Sequence, residues 1–347
     1  MAAQKTENRH PASLALPILC LLTLLGCRPP AATVVQARYL MGTICTVTAA
    51  GPDSLRCVRA VDRAFEAMRE VDRLMSAYRP ESPISHLNRA GHEGWVEAPP
   101  PLFHVIASAV ACSRLSGGAF DVTVGPLVRL WGFFDKKGRL PSPEEEAEVR
   151  PRVGYRHILL DSTRTAVRFD RPGVEIDLGG IAKGYALDRA AEALRAEGIA
   201  SGVVDAGGNL IVLGGPASVG VAHPLHRDSL LCRIEVRDEA ISTSGVSENY
   251  FMSEGKRYSH IFDPRTGRPV SNGLLSVTVV APTGMASDAL STAAFVMGPE
   301  EGMALIEGMK GAGALFISEA PDRPTGLEVR VSSRLKGKIF DKEVQVF

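Results

Sequence analysis

The sequence predicts an α+β fold in which strands and helices are mixed within one globular domain, and two observations lead to this prediction. Runs rich in β-branched residues, which are typical of strands, alternate irregularly with segments whose apolar residues recur at helical spacing. The regular strand–helix–strand rhythm of a doubly wound parallel sheet is absent. The hydrophobic content of 45% is normal for a soluble globular protein, so a core of ordinary size can form.

The first half of the domain is predicted from local patterns. β-Branched residues concentrate on both sides of the turn Met41-Gly42-Thr43, which predicts two strands. Two longer segments have helical spacing, and each ends at a helix-breaking residue, Pro80 for the first and Gly117 for the second. The predicted elements are strands over 33–40 and 44–49 and helices over 55–77 and 102–115. A solvated connection with one short helix is expected over 135–152.

The second half contains shorter strands, and glycine pairs mark turns between several of them. The pairs Gly179-Gly180 and Gly207-Gly208 each follow a short apolar run, as expected for turns that leave a strand. The predicted strands are 174–177, 202–205, 209–213, 232–237, 275–280 and a final strand at 314–317. The predicted helices are 181–197, 287–296 and 299–309.

The N-terminal residues are interpreted as a targeting segment rather than as part of the fold. An apolar run over 12–25 is too short to cross a membrane comfortably and is typical of a signal-peptide core. It ends in Leu24-Leu25-Gly26-Cys27, which resembles a bacterial lipobox. We therefore expect a signal peptide over 1–26, lipidation at Cys27, a tether over 27–33 and the domain over 34–347. An ordinary signal peptide with an incidental cysteine is the alternative.

This interpretation predicts an exported protein, lipid-anchored to a bacterial membrane and facing the periplasm or the exterior, with the choice of inner or outer membrane left open. The charge balance predicts no nucleic-acid partner, because Lys plus Arg and Asp plus Glu both number 39. The cysteines at 45, 57, 112 and 232 show no zinc-ligand spacing, so unpaired and mostly buried thiols are expected. A disulfide is the alternative, because an exported compartment permits one.

The run Asp177-Leu178-Gly179-Gly180-Ile181-Ala182-Lys183-Gly184-Tyr185 is the first candidate binding segment. Two glycines between a strand and a helix expose backbone N–H groups at the positive end of the helix, which suits an anionic phosphate. Lys183 adds a cation. The segment does not match the GxGxxG dinucleotide fingerprint. The alternative is a tight turn that requires glycine, with Lys183 in solvent.

Two further segments offer candidate chemistry. Asp288 and Thr292 are spaced i and i+4, so they share one helix face, and their oxygens suit a hard cation such as Mg²⁺. The alternative is a helix cap by Asp288 and a surface Thr292. His260 precedes the turn signal Asp263-Pro264-Arg265-Thr266-Gly267 and is a candidate proton acceptor or a structural histidine. Ser242-Thr243-Ser244-Gly245 supplies hydroxyls or forms a turn.

Taken together and in this order, these segments closely resemble one family, the FAD:protein FMN transferases or ApbE-type flavin transferases. The resemblance spans nearly the whole mature chain, from Met41 to about Gly298. The motifs that carry it are Met41-Gly42-Thr43, Ser76-Ala77-Tyr78, Gly117-Gly118-Ala119-Phe120-Asp121, the run from Asp177 to Tyr185, Asp205-Ala206-Gly207-Gly208-Asn209, the run from His260 to Gly267, and Ala286-Ser287-Asp288-Ala289-Leu290-Ser291-Thr292-Ala293.

The resemblance implies a single flavin-transferase domain of T-fold-like α+β architecture, together with a set of site residues. The implied FAD-binding residues are Met41, Tyr78, Ala119, Phe120, Asp121, Gly179, Lys183, Tyr185, Ile261 and Phe262. The implied Mg²⁺ ligands are the side chains of Asp288 and Thr292 and the backbone carbonyl of Ala182. His260 is the candidate general base.

By the same resemblance, FAD is the substrate, and FMN is transferred in the presence of Mg²⁺ to a Thr or Ser hydroxyl of another protein, with release of AMP. The implied partners are FMN-accepting subunits of membrane redox complexes, either the sodium-pumping NADH:quinone reductase or the Rnf type, or related FMN-binding domains. Two alternatives remain: a pyrophosphatase that hydrolyses FAD to FMN and AMP, and a non-catalytic flavin-binding lipoprotein.

Overall fold

The computed structural model describes residues 32–226, 228–323 and 325–340. The predicted signal peptide, the lipidation site Cys27 and nearly all of the predicted tether lie outside the described residues. Within the described ranges, no helix is both long and apolar enough to cross a membrane.

Helices and strands alternate irregularly along the chain, as the sequence predicts. The helices are α1 (Ser54–Met75), α2 (Pro83–Ala90), α3 (Pro100–Leu115), α4 (Gly125–Leu130), α5 (Pro143–Val149), α6 (Ala182–Ala196), α7 (Gly284–Met297) and α8 (Pro299–Glu307). The strands are β1 (Ala32–Leu40), β2 (Thr43–Gly51), β3 (Val96–Glu97), β4 (Ile158–Asp161), β5 (Ala166–Phe169), β6 (Ser201–Ala206), β7 (Asn209–Leu213), β8 (Pro216–Ala222), β9 (Leu230–Arg237), β10 (Ala240–Gly245), β11 (Tyr250–Ser253), β12 (Lys256–Ser259), β13 (Phe262–Asp263), β14 (Arg268–Pro269), β15 (Leu274–Ala281), β16 (Gly313–Glu319), β17 (Leu327–Val331) and β18 (Ile339–Phe340).

An eight-stranded sheet forms the centre of the fold, in the order β1-β2-β6-β7-β10-β15-β16-β17. Every neighbouring pair in this sheet is antiparallel. Helix α6 packs between α1 and α7, and all three helices pack against one face of the sheet. The small sheet β18-β9-β8 covers part of the other face through a separate apolar cluster. Strand β15 is buried at all eight positions because both of its faces are covered.

Helix α1 shows why the helical predictions succeeded. Its buried residues include Cys57, Val61, Ala64, Phe65 and Met68, which fall on one face at helical spacing. Burying a side chain the size of Phe65 or Met68 contributes about 1.5–3 kcal/mol each, so this face fixes the helix on the sheet. Helices α3, α6, α7 and α8 lie within three residues of their predicted bounds.

The prediction of a strand over 174–177 was wrong. This segment pairs with no strand among the described residues. The Asn88 side chain instead makes two backbone hydrogen bonds to Ile176, donating to its carbonyl at 2.9 Å and accepting from its N–H at 2.8 Å. The N–H of Asp177 donates to the carbonyl of Val122 at 2.7 Å. A side-chain amide therefore satisfies the extended backbone that a sheet neighbour would otherwise satisfy.

Two shorter predictions also need correction. The strand predicted at 314–317 is β16, but it is not the last, because β17 and β18 follow it. The segment Ser242-Thr243-Ser244-Gly245, for which a turn was one of the two predictions, lies in β10 at the centre of the main sheet. Its hydroxyl-bearing side chains are therefore held by a strand that pairs with β15 along its whole length.

Candidate active site

A cleft of about 250 Å³ lies at the end of the main sheet where the β6–β7 turn and the C-terminal end of β10 meet. Eleven of the residues predicted from the sequence line it: Tyr78, Ala119, Phe120, Asp121, Gly179, Lys183, His260, Ile261, Phe262, Asp288 and Thr292. They come from segments more than 200 residues apart, and the packing of the helices on the sheet brings them together.

Three predicted residues do not line this cleft. Met41 occupies the β1–β2 turn with φ 53°, at the same end of the sheet, where its neighbour Thr43 abuts Gly207. Ala182 is buried in the first turn of α6. Tyr185 points toward His104, with ring centroids 6.0 Å apart. The proposed contacts of these three residues with FAD or metal stay predictions.

Helices α6 and α7 cross closely at two glycines. A Cβ added to Gly184 would lie 2.1 Å from the carbonyl oxygen of Gly284, and a Cβ added to Gly284 would lie 2.3 Å from that of Gly184. Only glycine permits this approach. The crossing places Asp288 of α7 directly against the start of α6.

Each of these helices caps the other with a carboxylate. Asp288 accepts a hydrogen bond from the N–H of Gly184 at 2.9 Å. Asp188 of α6 accepts from the N–H groups of Gly284 at 2.6 Å and Met285 at 2.9 Å, at the start of α7. Both carboxylates therefore satisfy helix N-terminal donors that would otherwise be unpaired. The alternative prediction of a capping Asp288 is correct in part, because the helix that it caps is α6.

The environment of Asp288 suits a cation. Its side chain is 4% exposed, and its other oxygen accepts from Nδ2 of Asn209 at 2.9 Å. Burial raises the pKa of Asp288, whereas the charge of Lys183 lowers it. Asp288 forms no ion pair among the residues that the structure describes. A buried carboxylate that has only neutral hydrogen-bond donors is poorly compensated, and a hard divalent cation would compensate it.

Thr292 lies one turn further along α7 and also faces the cleft. Its Oγ1 is 3.1 Å from Oγ of Ser244 in β10. No group of three or more His, Cys, Asp or Glu side chains that could hold a metal occurs among the described residues. A cation here would therefore have one carboxylate and one hydroxyl as side-chain ligands, with its other positions left to backbone oxygen, phosphate or water, as Mg²⁺ sites usually are.

Lys183 and the glycine pair form the anion-binding side of the cleft. Lys183 makes no ion pair among the described residues. Burial raises the pKa of both Asp205 and Asp288, and the charge of Lys183 acts in the opposite direction. The prediction that both glycine amides face a phosphate needs correction, because the N–H of Gly179 donates to Oδ1 of Asp177 at 2.8 Å. The backbone N–H of Gly180 has no protein acceptor among the described residues, so Gly180 and Lys183 remain available for phosphate.

His260 is held as a neutral base. Its Nδ1 is 3.0 Å from the carbonyl oxygen of Asn249, an acceptor, so Nδ1 carries the proton. The other ring nitrogen, Nε2, is then left with a lone pair. Burial lowers the pKa of His260 to about 4, with the charge of Lys183 acting in the same direction. The ring is therefore neutral at physiological pH and able to accept a proton.

The ApbE family model matches residues 41–316 of the chain.

The chain belongs to the ApbE family.

Relatives and solved structures of this family agree with that match over most of the chain. A FAD:protein FMN transferase of Vibrio cholerae is 36% identical over 299 residues, 83% of this chain and 88% of the relative. One of Klebsiella pneumoniae is 33% identical over 266 residues, 75% of this chain and 82% of the relative. The flavin transferase ApbE from V. cholerae has a TM-score of 0.80 at 32% identity, covering 89% of this chain and 100% of that one. The ApbE protein from Thermotoga maritima has a TM-score of 0.81 at 32% identity, with the same coverage. The predicted family and α+β fold are confirmed.

The aromatic and acidic residues at the mouth of this ApbE-family cleft have distinct roles in its shape. Tyr78 is 57% exposed and stacks on Phe134, with ring centroids 4.6 Å apart. Asp121 is buried and accepts hydrogen bonds from the N–H and Oγ1 of Thr123 at 2.8 and 2.7 Å and from the N–H of Tyr155. Burial raises the pKa of Asp121. Its carboxylate is thus occupied with holding the loop that carries Phe120.

Sequence reasoning missed several residues that the cleft of this ApbE-family chain uses. Asp177 and Ser244 line the cleft, and Asn209 and Asn249 hold Asp288 and His260 in place. Asp177, Asn209 and Ser244 lie within motifs that were singled out, but a motif does not say which member turns inward. Asn249 acts through its backbone carbonyl, for which the sequence carries no signal.

Proposed function

We propose that this chain transfers FMN from FAD to a threonine or serine hydroxyl of a target protein. The hydroxyl oxygen bonds to the FMN-side phosphorus, the phosphorus–oxygen bond to the AMP half breaks, and AMP leaves. The product is a phosphoester on the target. One observation carries the proposal: a single cleft combines the buried Asp288 and its neighbour Thr292, the cation of Lys183, which has no ion-pair partner in the described part of the chain, and the neutral base His260. The names of the curated relatives support the same activity.

In this proposal, Asp288 and Thr292 hold Mg²⁺ with their side chains and Ala182 with its carbonyl. Bound there, the ion supplies positive charge to the phosphate oxygens, the usual contribution of a metal to phosphoryl transfer. Lys183 and the N–H of Gly180 bind and orient the pyrophosphate beside it. Ile261, Phe262 and Phe120 supply apolar surface for the rings of FAD, while Met41 and Tyr185 lie outside this lining.

His260 takes the proton of the attacking hydroxyl at Nε2. The Asn249 carbonyl fixes the tautomer in which that nitrogen is free. Positioned acid–base groups typically contribute about 10²–10⁴-fold to rate. The nucleophile belongs to the target, so the chain needs no nucleophile of its own.

We also propose that the enzyme is exported, anchored through a lipid on Cys27, and acts on FMN-accepting subunits of membrane redox complexes or related FMN-binding domains. The support is the lipobox-like Leu24-Leu25-Gly26-Cys27 and the family resemblance. Mass spectrometry of the membrane-extracted protein tests the anchor, since an N-terminus at an acylated Cys27 is the expected result. A mature N-terminus elsewhere would refute it.

The activity is tested by incubating the chain from Arg28 onward with FAD, Mg²⁺ and a purified FMN-domain acceptor. Flavin fluorescence of the acceptor on a denaturing gel and release of AMP are measured together. We expect a fluorescent acceptor band that disappears with EDTA or when the acceptor threonine is changed to alanine. AMP and free FMN without a labelled acceptor would indicate hydrolysis of FAD instead. Tight FAD binding without AMP would leave only flavin storage.

A further inference from the structure

We infer that a series of hydroxyl hydrogen bonds orients the Thr292 hydroxyl so that its proton points to Ser244 and its lone pairs face the cation. In this arrangement Ser244 and Ser291 are positioning residues that act on the metal site through Thr292. The inference rests on the metal site of the proposed function and adds to it two residues that do not bind the ion.

Four oxygen atoms form this hydrogen-bonded series. Thr292 Oγ1 lies 3.1 Å from Ser244 Oγ, and Ser244 Oγ lies 2.9 Å from Ser291 Oγ. Ser291 Oγ lies 2.9 Å from the backbone carbonyl oxygen of Asp288. Ser291 is fully buried and Ser244 is 8% exposed, so protein atoms rather than bulk water satisfy these groups.

The direction of each hydrogen bond follows from counting protons. A hydroxyl has one proton to donate and two lone pairs that accept. The Asp288 carbonyl can only accept, so the Ser291 hydroxyl donates its proton to it. Ser291 can then only accept from Ser244. Because Ser244 donates its own proton to Ser291, it can only accept from Thr292. The proton of Thr292 is thereby directed toward Ser244, and the Thr292 oxygen presents its lone pairs toward the cleft.

This orientation matters because a cation needs an oxygen lone pair, and a hydroxyl with its proton turned toward the ion repels it. If Ser291 were absent, the proton of Ser244 would lose its acceptor and be free to turn to Thr292. Thr292 would then lose a lone pair to Ser244 and have no fixed direction for its own proton. Groups that orient metal ligands in this way typically change metal affinity about 10- to 100-fold.

Ser287, one turn before Ser291 on helix α7, provides a matched control. Ser287 is fully buried, donates to the Gly284 carbonyl at 3.0 Å, and lies 2.8 Å from Ser242 of β10. This pair makes the same kind of contact between α7 and β10 but does not touch Thr292. Replacing Ser287 by alanine therefore removes comparable packing and hydrogen bonding without disturbing the proposed orientation.

The test measures the dissociation constant for Mn²⁺ by electron paramagnetic resonance in the absence of FAD. The proteins compared are the wild type, Ser291→Ala, Ser287→Ala and Thr292→Val. The melting temperature of each protein is also recorded. We expect Ser291→Ala to bind Mn²⁺ about tenfold more weakly and Ser287→Ala to stay within about twofold of wild type, although both lose stability. In the Thr292→Val background, Ser291→Ala should have no further effect. Ser244→Ala provides a second variant and should weaken binding as Ser291→Ala does.

Three results would overturn the inference: Ser291→Ala binding as tightly as wild type, equal weakening by Ser291→Ala and Ser287→Ala, or an undiminished Ser291→Ala effect in the Thr292→Val background. Each leaves the metal site of the proposed function intact. A wild-type chain that binds no Mn²⁺ would instead remove the metal site and the orientation with it.

Discussion

The substitution Gly184→Ala tests whether the crossing of α6 and α7 determines stability, because two effects of opposite sign compete at this residue. Alanine in a helix is favoured over glycine by about 1 kcal/mol, so helix propensity alone predicts stabilisation. The new Cβ would lie 2.1 Å from the Gly284 carbonyl oxygen and 2.7 Å from Cβ of Asp288. Packing therefore predicts the reverse.

The magnitude follows from what the methyl group displaces. Overpacking a buried contact typically costs about 1–3 kcal/mol. Pushing α7 away also weakens the hydrogen bond from Gly184 to the Asp288 carboxylate, and hydrogen bonds to charged groups contribute about 1.5–3 kcal/mol. After the gain in helix propensity is subtracted, we expect a loss of about 1.5–5 kcal/mol in the free energy of unfolding.

Urea unfolding followed by circular dichroism measures this loss. Gly94→Ala is the control, since a Cβ there would meet nothing within 4 Å, and it should change stability by less than about 0.5 kcal/mol. Gly284→Ala, on the other side of the crossing, should resemble Gly184→Ala. A Gly184→Ala protein as stable as wild type, or more stable, would refute the account of the crossing given above.

Three further predictions concern the cleft. His260→Asn keeps a donor for the Asn249 carbonyl but removes the base, so transfer should slow about 10²–10⁴-fold with FAD affinity unchanged. In the wild type, the pKa of His260 is lowered from 6.5 to about 4, so the rate of transfer should fall with acid only near pH 4. A fall in rate near pH 6.5 would contradict this. Asp288→Asn should abolish stabilisation by Mg²⁺ in thermal melts. Because burial raises the pKa of Asp288, the melting temperature of the metal-free wild type should fall as pH rises above about 4, and that of Asp288→Asn should not show this fall. Equal pH profiles of the two proteins would contradict this assignment to Asp288. Lys183→Met should raise KM for FAD about 10- to 100-fold, whereas the exposed Lys256→Met should not, and equal effects would exclude a specific role for Lys183.

The sequence was sufficient to predict the helices whose bounds are determined by nearby residues. The apolar face of α1 and the glycines that end α3 carry their own structural signal, and both helices were predicted to within a few residues. The segment over 174–177 failed because its backbone partner is the side chain of Asn88, almost 90 residues earlier. No local pattern distinguishes an extended segment that pairs with a side chain from one that pairs with a strand.

The candidate site was predictable by residue type but not by geometry. Asp288 and Thr292 were placed on one helix face by their spacing, and the structure confirms that both reach the cleft. That Asp288 also caps α6, or that the Gly179 amide is already occupied by Asp177, depends on how distant segments pack. These are long-range hydrogen bonds, and their partners cannot be read from either segment alone.

The cleft draws on residues from Tyr78 to Thr292, and this span affects how the enzyme is made. Contacts between such distant segments require large loops to close before they stabilise the fold, which makes folding slow. A copy of the chain that stops before α7 has no Asp288, so it lacks both the cap on α6 and the proposed cation ligand. Prematurely terminated copies would therefore lack the carboxylate on which the proposed metal site depends.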